Sequence, residues 1–338
     1  MIKAIYNGKK SIELVNAPVP KANDNDIVIK NIYSSICGTD IAVFNNGNNT
    51  GHKIELGQEF GHETISEVVE VGKNVNSINI GDIVYPYPLF AKDDTKRAGT
   101  IGGFSEYILI PNCVLNKSVY KLNDGIKLKE ACLIEPFTVS CRAARRSQPK
   151  QNENAVVFGA GTIGIAAAIN LKHFGIKKVM IVDLSDFRLQ KCKQLGFEIC
   201  NSEKCDLKES MIEYFGEANS LHGKTADVDI FIDAAGADSI LNTYQKIGKF
   251  ESRLVVVAVN KGLKNIDILD LTYSQHSIIG SGGYMPEDVK DVMSIMASKK
   301  YDIESIITHE FSIKDLPKAL QQAGKKDEAL NVIIDFNK

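Results

Sequence analysis

Two hydrophobic periods divide the chain. Over residues 1–35, short apolar runs such as Ile27-Val28-Ile29-Lys30 alternate with turn formers such as Asn23-Asp24-Asn25-Asp26. Residues 66–71, 83–85 and 104–110 repeat the pattern, punctuated by Gly72, by Gly81-Asp82 and by Gly102-Gly103. Many short strands with regular turns predict a small barrel or sandwich. Near Leu128 the period lengthens. Residues 127–146 read as a helix broken at Pro136 and then resumed. From Ala155 onward, strand-like and helix-like stretches alternate. Buried-type strands fall at 155–158, 179–182, 229–233 and 254–259, with a helix over 165–174. That alternation predicts a parallel sheet with helices on both faces. After about Ser277 strand and helix mix again, ending in the apolar run Val332-Ile333-Ile334.

The stretch at 155–183 organises the second half. A strand breaks into Gly159-Ala160-Gly161, then Gly164 opens a helix, and a second strand closes on Asp183. This is a βαβ unit with a G-x-G-x-x-G turn. Gly159 allows the sharp turn, Gly161 lets a pyrophosphate approach the backbone, and Gly164 lets helix and strand pack closely. Such a turn alone is a weak signal, but here the context is right on both sides. Asp183 lies 19 positions after Gly164, where its carboxylate can accept hydrogen bonds from ribose hydroxyls and repel a 2′-phosphate. NAD is therefore expected rather than NADP.

Composition narrows the class. The 338 residues are 44% hydrophobic and 24% charged, with a net charge of −2, so two domains are expected and nothing suggests a nucleic-acid or membrane-surface partner. No apolar run reaches the roughly 18 residues that span a bilayer. Met1-Ile2-Lys3-Ala4-Ile5 begins in strand-like sequence rather than a signal peptide. Seven scattered cysteines without a C-x-x-C pair fit a reducing cytoplasm.

Cys37, His62, Glu63 and Glu135 are metal ligands by type, but they are far apart in sequence. Spacing alone leaves open a buried thiol at Cys37, a hydrogen-bonded core histidine at His62 and a capping or solvated Glu135.

The order of motifs resolves this further. ICGTD at 36–40, GHETISEVVEVG at 61–72, GDIV, GGFSEYILIP, LIEP, VVFGAGTIG, GSGGY and ITHEF together resemble the zinc-dependent medium-chain dehydrogenases of the alcohol, polyol and threonine dehydrogenase group. The resemblance covers essentially the whole chain, with Ser66 standing where a glycine is usual. It implies an α/β protein: a GroES-like β-rich catalytic domain over 1–141, completed by 277–338, and a Rossmann doubly wound domain over 142–276. It also implies one catalytic zinc held by Cys37, His62, Glu63 and Glu135, the two carboxylates alternating with water or substrate oxygen. Thr39 would pass the alcohol proton toward the cofactor ribose, and Asp40 would hold the site from behind. Gly159, Gly161, Thr162, Ile163, Gly164, Asp183 and Arg188 would bind NAD. The implied reaction moves a hydride from a zinc-activated secondary alcohol (a polyol, sugar alcohol or sugar acid) to the nicotinamide. A simple alcohol, butanediol or threonine substrate is the alternative. Outside catalysis stands a nucleotide-binding regulatory or structural protein of the same fold, and a zinc-free quinone reductase is a third reading. The expected partners are a small-molecule alcohol and further copies of the chain.

Three departures from the family pattern are visible. Residues 86–102 carry no cysteine where many members bind a structural zinc. Ala42 stands where a proton-relay histidine is common, leaving His52 as a guess for that role. Gly283-Tyr284 replaces the Arg-Tyr pair with which polyol dehydrogenases grip substrate hydroxyls.

Overall fold

The computed structural model describes residues 1–260 and 262–338. The chain forms two compact units, Met1–Glu135 with Met296–Lys338, and Pro136–Ile295.

The first unit is built on a seven-stranded sheet. Its spine runs Ile307–Ser312, Asn331–Asp335, Ile27–Ser35, Glu63–Val71, Ile83–Pro86 and Val119–Lys121, and Tyr107–Ile110 also pairs with Ile27–Ser35. Only the first two of these strands pair in parallel. Period-2 alternation sends Ile27, Ile29, Val68, Val84, Ile108 and Ile110 into one apolar cluster. A second cluster gathers Ala4, Tyr6, Val43, Phe44, Phe60, Phe104 and Leu320 around the helices Gly38–Asn46 and Leu316–Ala323.

The second unit holds a six-stranded, all-parallel sheet. Its order is Glu198–Asn201, Lys178–Asp183, Asn154–Phe158, Ile230–Asp233, Arg253–Val256 and Ser277–Gly280. Counted along the chain, that is 3-2-1-4-5-6, the order of dinucleotide-binding sheets. The strand direction reverses its spread between Asn154–Phe158 and Ile230–Asp233, and ligands bind at the carboxyl ends flanking such a point.

The structure moves three expected boundaries. The helical stretch at 127–146 breaks before Pro136, between Leu128–Ala131 and Ile134–Arg146. Proline sits in the first turn of the second helix, where its missing N–H would have had no helical partner anyway. The helix after the glycine turn starts at Thr162 rather than Ile165, so Gly164 lies inside its first turn. The expected junction at 276/277 falls directly before Ser277–Gly280, the sixth strand of the parallel sheet. That strand covers the edge of Arg253–Val256, and the compact unit continues to Ile295.

Candidate metal centre and nucleotide site

Strand register explains how residues 25 positions apart meet. Ser35 pairs with Glu63 in the antiparallel ladder. Cys37, two residues past Ser35, therefore lies beside His62, just before Glu63. The ligand-type atoms of Cys37, His62 and Glu63 all lie within 4.8 Å of one another. Glu135 is buried in the first turn of Ile134–Arg146 but stands outside that close group among the described residues.

The start of helix Gly38–Asn46 fixes the cluster. Cys37 is its N-cap and its sulfur accepts from the Thr39 N–H at 3.5 Å and from the Thr39 hydroxyl at 3.2 Å. Asp40 completes a capping box by accepting the Cys37 N–H at Oδ2, 3.1 Å away. Its Oδ1 faces His62 Nδ1 at 3.5 Å and His52 Nδ1 at 3.9 Å. One fully buried carboxylate thus holds the backbone of one ligand and the ring of another.

The donor set fits a divalent cation. Cys37 keeps part of its surface open, yet burial of its sulfur and the neighbouring Glu63 push the thiol up to about 12. Burial also raises Glu63 above the usual carboxyl range. It works against charging His62, but Asp40 and Cys37 outweigh it and hold the imidazole well above its ordinary value. Glu63 Oε2 is buried without a hydrogen-bond partner. A cation is the chemical partner that turns such protonated, unsatisfied groups into ligands, because it favours thiolate, neutral imidazole and carboxylate together. Thiolate, imidazole and carboxylate are the donors of zinc.

In the second unit, Gly159 adopts φ +106°, and a Cβ there would meet Ala234 of the neighbouring strand's end at 3.1 Å. A Cβ on Gly164 would lie 1.7 Å from the Gly159 carbonyl oxygen, so helix and turn touch backbone to backbone. Gly161 caps the helix and has room, its nearest neighbour being Arg188 Nη1 at 3.7 Å from a built Cβ. Thr162 and Ile163 begin the helix. Asp183 ends its strand, and its Oδ2 accepts the Ala160 N–H of the glycine turn at 2.6 Å. Its Oδ1 accepts from Leu184 and Ser185, each at 2.8 Å. The structure thus brings the glycine turn, Asp183 and Arg188 to one edge of this unit.

Three supporting residues, Ser35, Asn331 and Asp233, carry no sequence signal. Ser35 hydrogen-bonds the Glu63 carboxylate and in turn accepts from Asn331 at 2.9 Å, across 296 positions. Asp233 accepts the N–H groups of Ala235 and Gly236, shaping the turn opposite Gly159. His52, read only as a guess, lies 5.7 Å from the His62 ring.

Comparison with known proteins agrees with this geometry. Residues 23–124 match the alcohol dehydrogenase GroES-like domain, and residues 162–298 match the zinc-binding dehydrogenase domain. The chain belongs to the zinc-dependent medium-chain dehydrogenase family. Sorbitol dehydrogenase 2 of Saccharomyces cerevisiae is 27% identical over 327 residues, covering 91% of this chain and 90% of that protein. An L-threonine 3-dehydrogenase of a Shewanella species is 28% identical over 333 residues, covering 94% of both. The solved structure of an Escherichia coli CFT073 alcohol dehydrogenase complexed with NADH superposes with a TM-score of 0.85 at 23% identity, covering 99% of each chain. Family membership gives a zinc- and NAD-dependent oxidoreductase of mixed α/β fold, with a GroES-like and a Rossmann part. Within it, residues 86–102 hold their shape by packing and hydrogen bonds. Tyr87 contacts Phe90 and Tyr120 at ring distances of 5.4 and 6.0 Å, Asp94 caps the short turn Thr95–Arg97, and Lys92 Nζ donates to the Leu109 carbonyl at 3.0 Å.

Proposed function

We propose that this chain oxidises a secondary alcohol of a polyol, sugar alcohol or sugar acid, passing the hydride to NAD. The carrying observation is the Cys37, His62 and Glu63 group, with the Thr39 hydroxyl on the Cys37 sulfur. Cys37, His62 and Glu63 would hold zinc, with Glu135 as an exchangeable fourth ligand. When bound, zinc supplies Lewis acidity that lowers the pKa of the substrate hydroxyl. Thr39 Oγ1, already beside the cluster, would take up the hydroxyl proton and hand it on. Asp40 orients His62 and fixes the Cys37 backbone. The lack of cysteine in residues 86–102 supports one zinc per chain.

Gly159, Gly161, Thr162, Ile163, Gly164, Asp183 and Arg188 would hold NAD. A carboxylate oxygen accepts more than one hydrogen bond, so Asp183 can brace the turn and still receive ribose hydroxyls. A 2′-phosphate would meet the same negative charge. The parallel sheet supports assigning NAD binding to the second unit and metal chemistry to the first.

The polyol reading draws on the sorbitol dehydrogenase relative, and the equally similar threonine dehydrogenase keeps an amino-alcohol substrate as the second reading. NADH formation over polyols, sugar acids, diols and threonine, before and after zinc chelation, separates them. Activity on threonine alone would replace the first reading, and activity indifferent to zinc would remove both.

No described helix is long and apolar enough to cross a membrane. We assign the chain to a reducing cytoplasm, supported by seven free thiols. Self-association fits the outer edge of the parallel sheet. Among the described residues Ser277–Gly280 pairs on one side only, and the neighbouring helix exposes Ile268, Leu269 and Tyr273.

A further inference from the structure

The metal and nucleotide chemistry leaves two cysteines unused that stand side by side. Cys200 is the penultimate residue of the strand Glu198–Asn201, and Cys205 precedes the helix Leu207–Phe215. The chain between them folds back tightly, with the N–H groups of Lys204 and Cys205 both donating to the Asn201 carbonyl, at 2.9 and 3.1 Å. The fold-back gathers the side chains of Cys200, Cys205 and Ser210 into one interacting group. Cys200 is 3% exposed, whereas Cys205 faces solvent.

We propose that Cys205 and Cys200 form a reversible intramolecular disulfide under peroxide, Cys205 as the attacking thiol and Cys200 as the resolving one. Exposure decides the order, because an oxidant meets Cys205 first. The Cys205 thiolate attacks one peroxide oxygen, the O–O bond breaks, and a sulfenic acid and water result. The Cys200 sulfur then attacks the sulfenic sulfur, its proton leaving with the hydroxyl as a second water. Two thiols are oxidised to one disulfide, and one peroxide is reduced to two waters. Burial raises the Cys200 thiol to about 11, while the Ser210 hydroxyl opposes that rise. The second step therefore depends on how close the turn brings the two sulfurs more than on acidity.

The same turn braces the nucleotide edge. Asn201 pairs in register with Asp183, and its side-chain amide donates to the Leu184 carbonyl at 3.0 Å and to Asp186 at 2.7 Å. Lys204 is ion-paired with Asp186. Drawing Cys205 onto Cys200 pulls on Asn201 and Lys204, and through them on the segment that carries Asp183. Ring closure therefore weakens NADH binding severalfold. This consequence rests on the nucleotide site proposed above, whereas the disulfide itself does not.

The test uses the full-length, zinc-loaded chain treated with near-stoichiometric hydrogen peroxide, then alkylated and mapped by mass spectrometry. The expected result is a loss of two hydrogens confined to the fragment holding Cys200 and Cys205. Dithiothreitol reverses it, and Cys205→Ser does not show it. The surface position of Cys205 lets that variant fold, and Cys113→Ser, at another partly exposed thiol, still forms the link. Cys205 left alkylatable, carried on to the sulfinic acid, or linked to a second chain would overturn the proposal. NADH titration of reduced and oxidised protein reads the consequence. A mapped disulfide with unchanged NADH affinity overturns the link to the nucleotide edge. Reduced protein that binds no NADH overturns the nucleotide reading and leaves the mass data to decide the disulfide.

Discussion

The nucleotide edge and the metal cluster are built by opposite routes. The nucleotide edge comes from one continuous stretch. Its glycines act through backbone, so the turn, the helix start and Asp183 follow from local sequence. The metal cluster is assembled by pairing of distant segments. Ser35 opposite Glu63 makes it, and a slip of one residue in that ladder would point every side chain to the wrong face. Backbone-borne sites tolerate drift around them but not within them. Assembled sites depend on a register set far away and on residues such as Asp40 that hold ligands from behind.

The largest effect should come from removing the thiolate. Cys37→Ser is expected to lose most bound zinc and to lower turnover by more than about a hundredfold, since even residues that merely support ligands cost 10- to 100-fold. Circular dichroism and NADH titration should be nearly unchanged, because the parallel sheet does not use Cys37. A variant with normal metal content and turnover would dissolve the cluster half of the comparison. Gly164→Ala tests the other half. Its methyl would stand 1.7 Å from the Gly159 carbonyl oxygen, a backbone clash no rotamer relieves. We expect a loss of roughly 2–3 kcal/mol in unfolding free energy, with NADH binding impaired, by analogy with overpacked cores. Unchanged melting and NADH affinity would show that the turn is looser than described.

The two carboxylates sharpen the picture of the cluster. Glu63→Gln should reduce zinc retention in chelator competition by roughly tenfold or more. Glu135→Gln, at a position outside the close group, should do less to zinc and still slow turnover if it exchanges at the metal. A Glu135→Gln enzyme normal in both would leave Glu63 as the sole carboxylate there. Asp183→Ser should relax discrimination against NADP by about 1–2 kcal/mol, on the order of tenfold or somewhat more. It should also weaken NAD, because the Ala160, Leu184 and Ser185 N–H groups lose their acceptor. Wild-type preference for NADP would refute the role given to that carboxylate.

Legibility followed the same division. The βαβ stretch, the strand-rich first unit and the buried parallel strands were readable because hydrophobic period and glycine placement are local. The helix break lies a few residues before Pro136, and proline in a first turn looks in sequence like proline that breaks a helix. The sixth parallel strand, Ser277–Gly280, carries little local signal for which side of the expected 276/277 junction it joins. It is short and half exposed, and only pairing with Arg253–Val256 identifies it. The metal ligands were legible only through the combined motif order of a family. Ser35 and Asn331 stay silent because nothing local marks a residue that will support a ligand from another strand.

The smallest effect serves as a control, at a charge network outside both regions. Glu310, in ITHEF, accepts from Lys129 at 2.6 Å and pairs with Lys338 at 2.5 Å. Burial alone would raise its carboxyl, but the hydrogen bonds and charges of the two lysines outweigh it and bring it down to about 2. An unfolded glutamate titrates near pH 4.3. The folded state therefore favours the ionised form. The resulting stability is fully present above the unfolded value and is lost as pH falls from about 4.3 to about 2. The pair is partly exposed and screened by solvent, so its worth is below about 1 kcal/mol. Glu310→Gln should thus unfold at slightly lower urea than wild type at neutral pH. The gap should close as the pH approaches the folded value, with zinc content and NADH affinity unchanged throughout. A gap that persists in acid would mean that Glu310 acts through packing rather than charge. A change in zinc content would mean that the metal cluster depends on more of the first unit than the Cys37, Asp40 and His62 geometry implies.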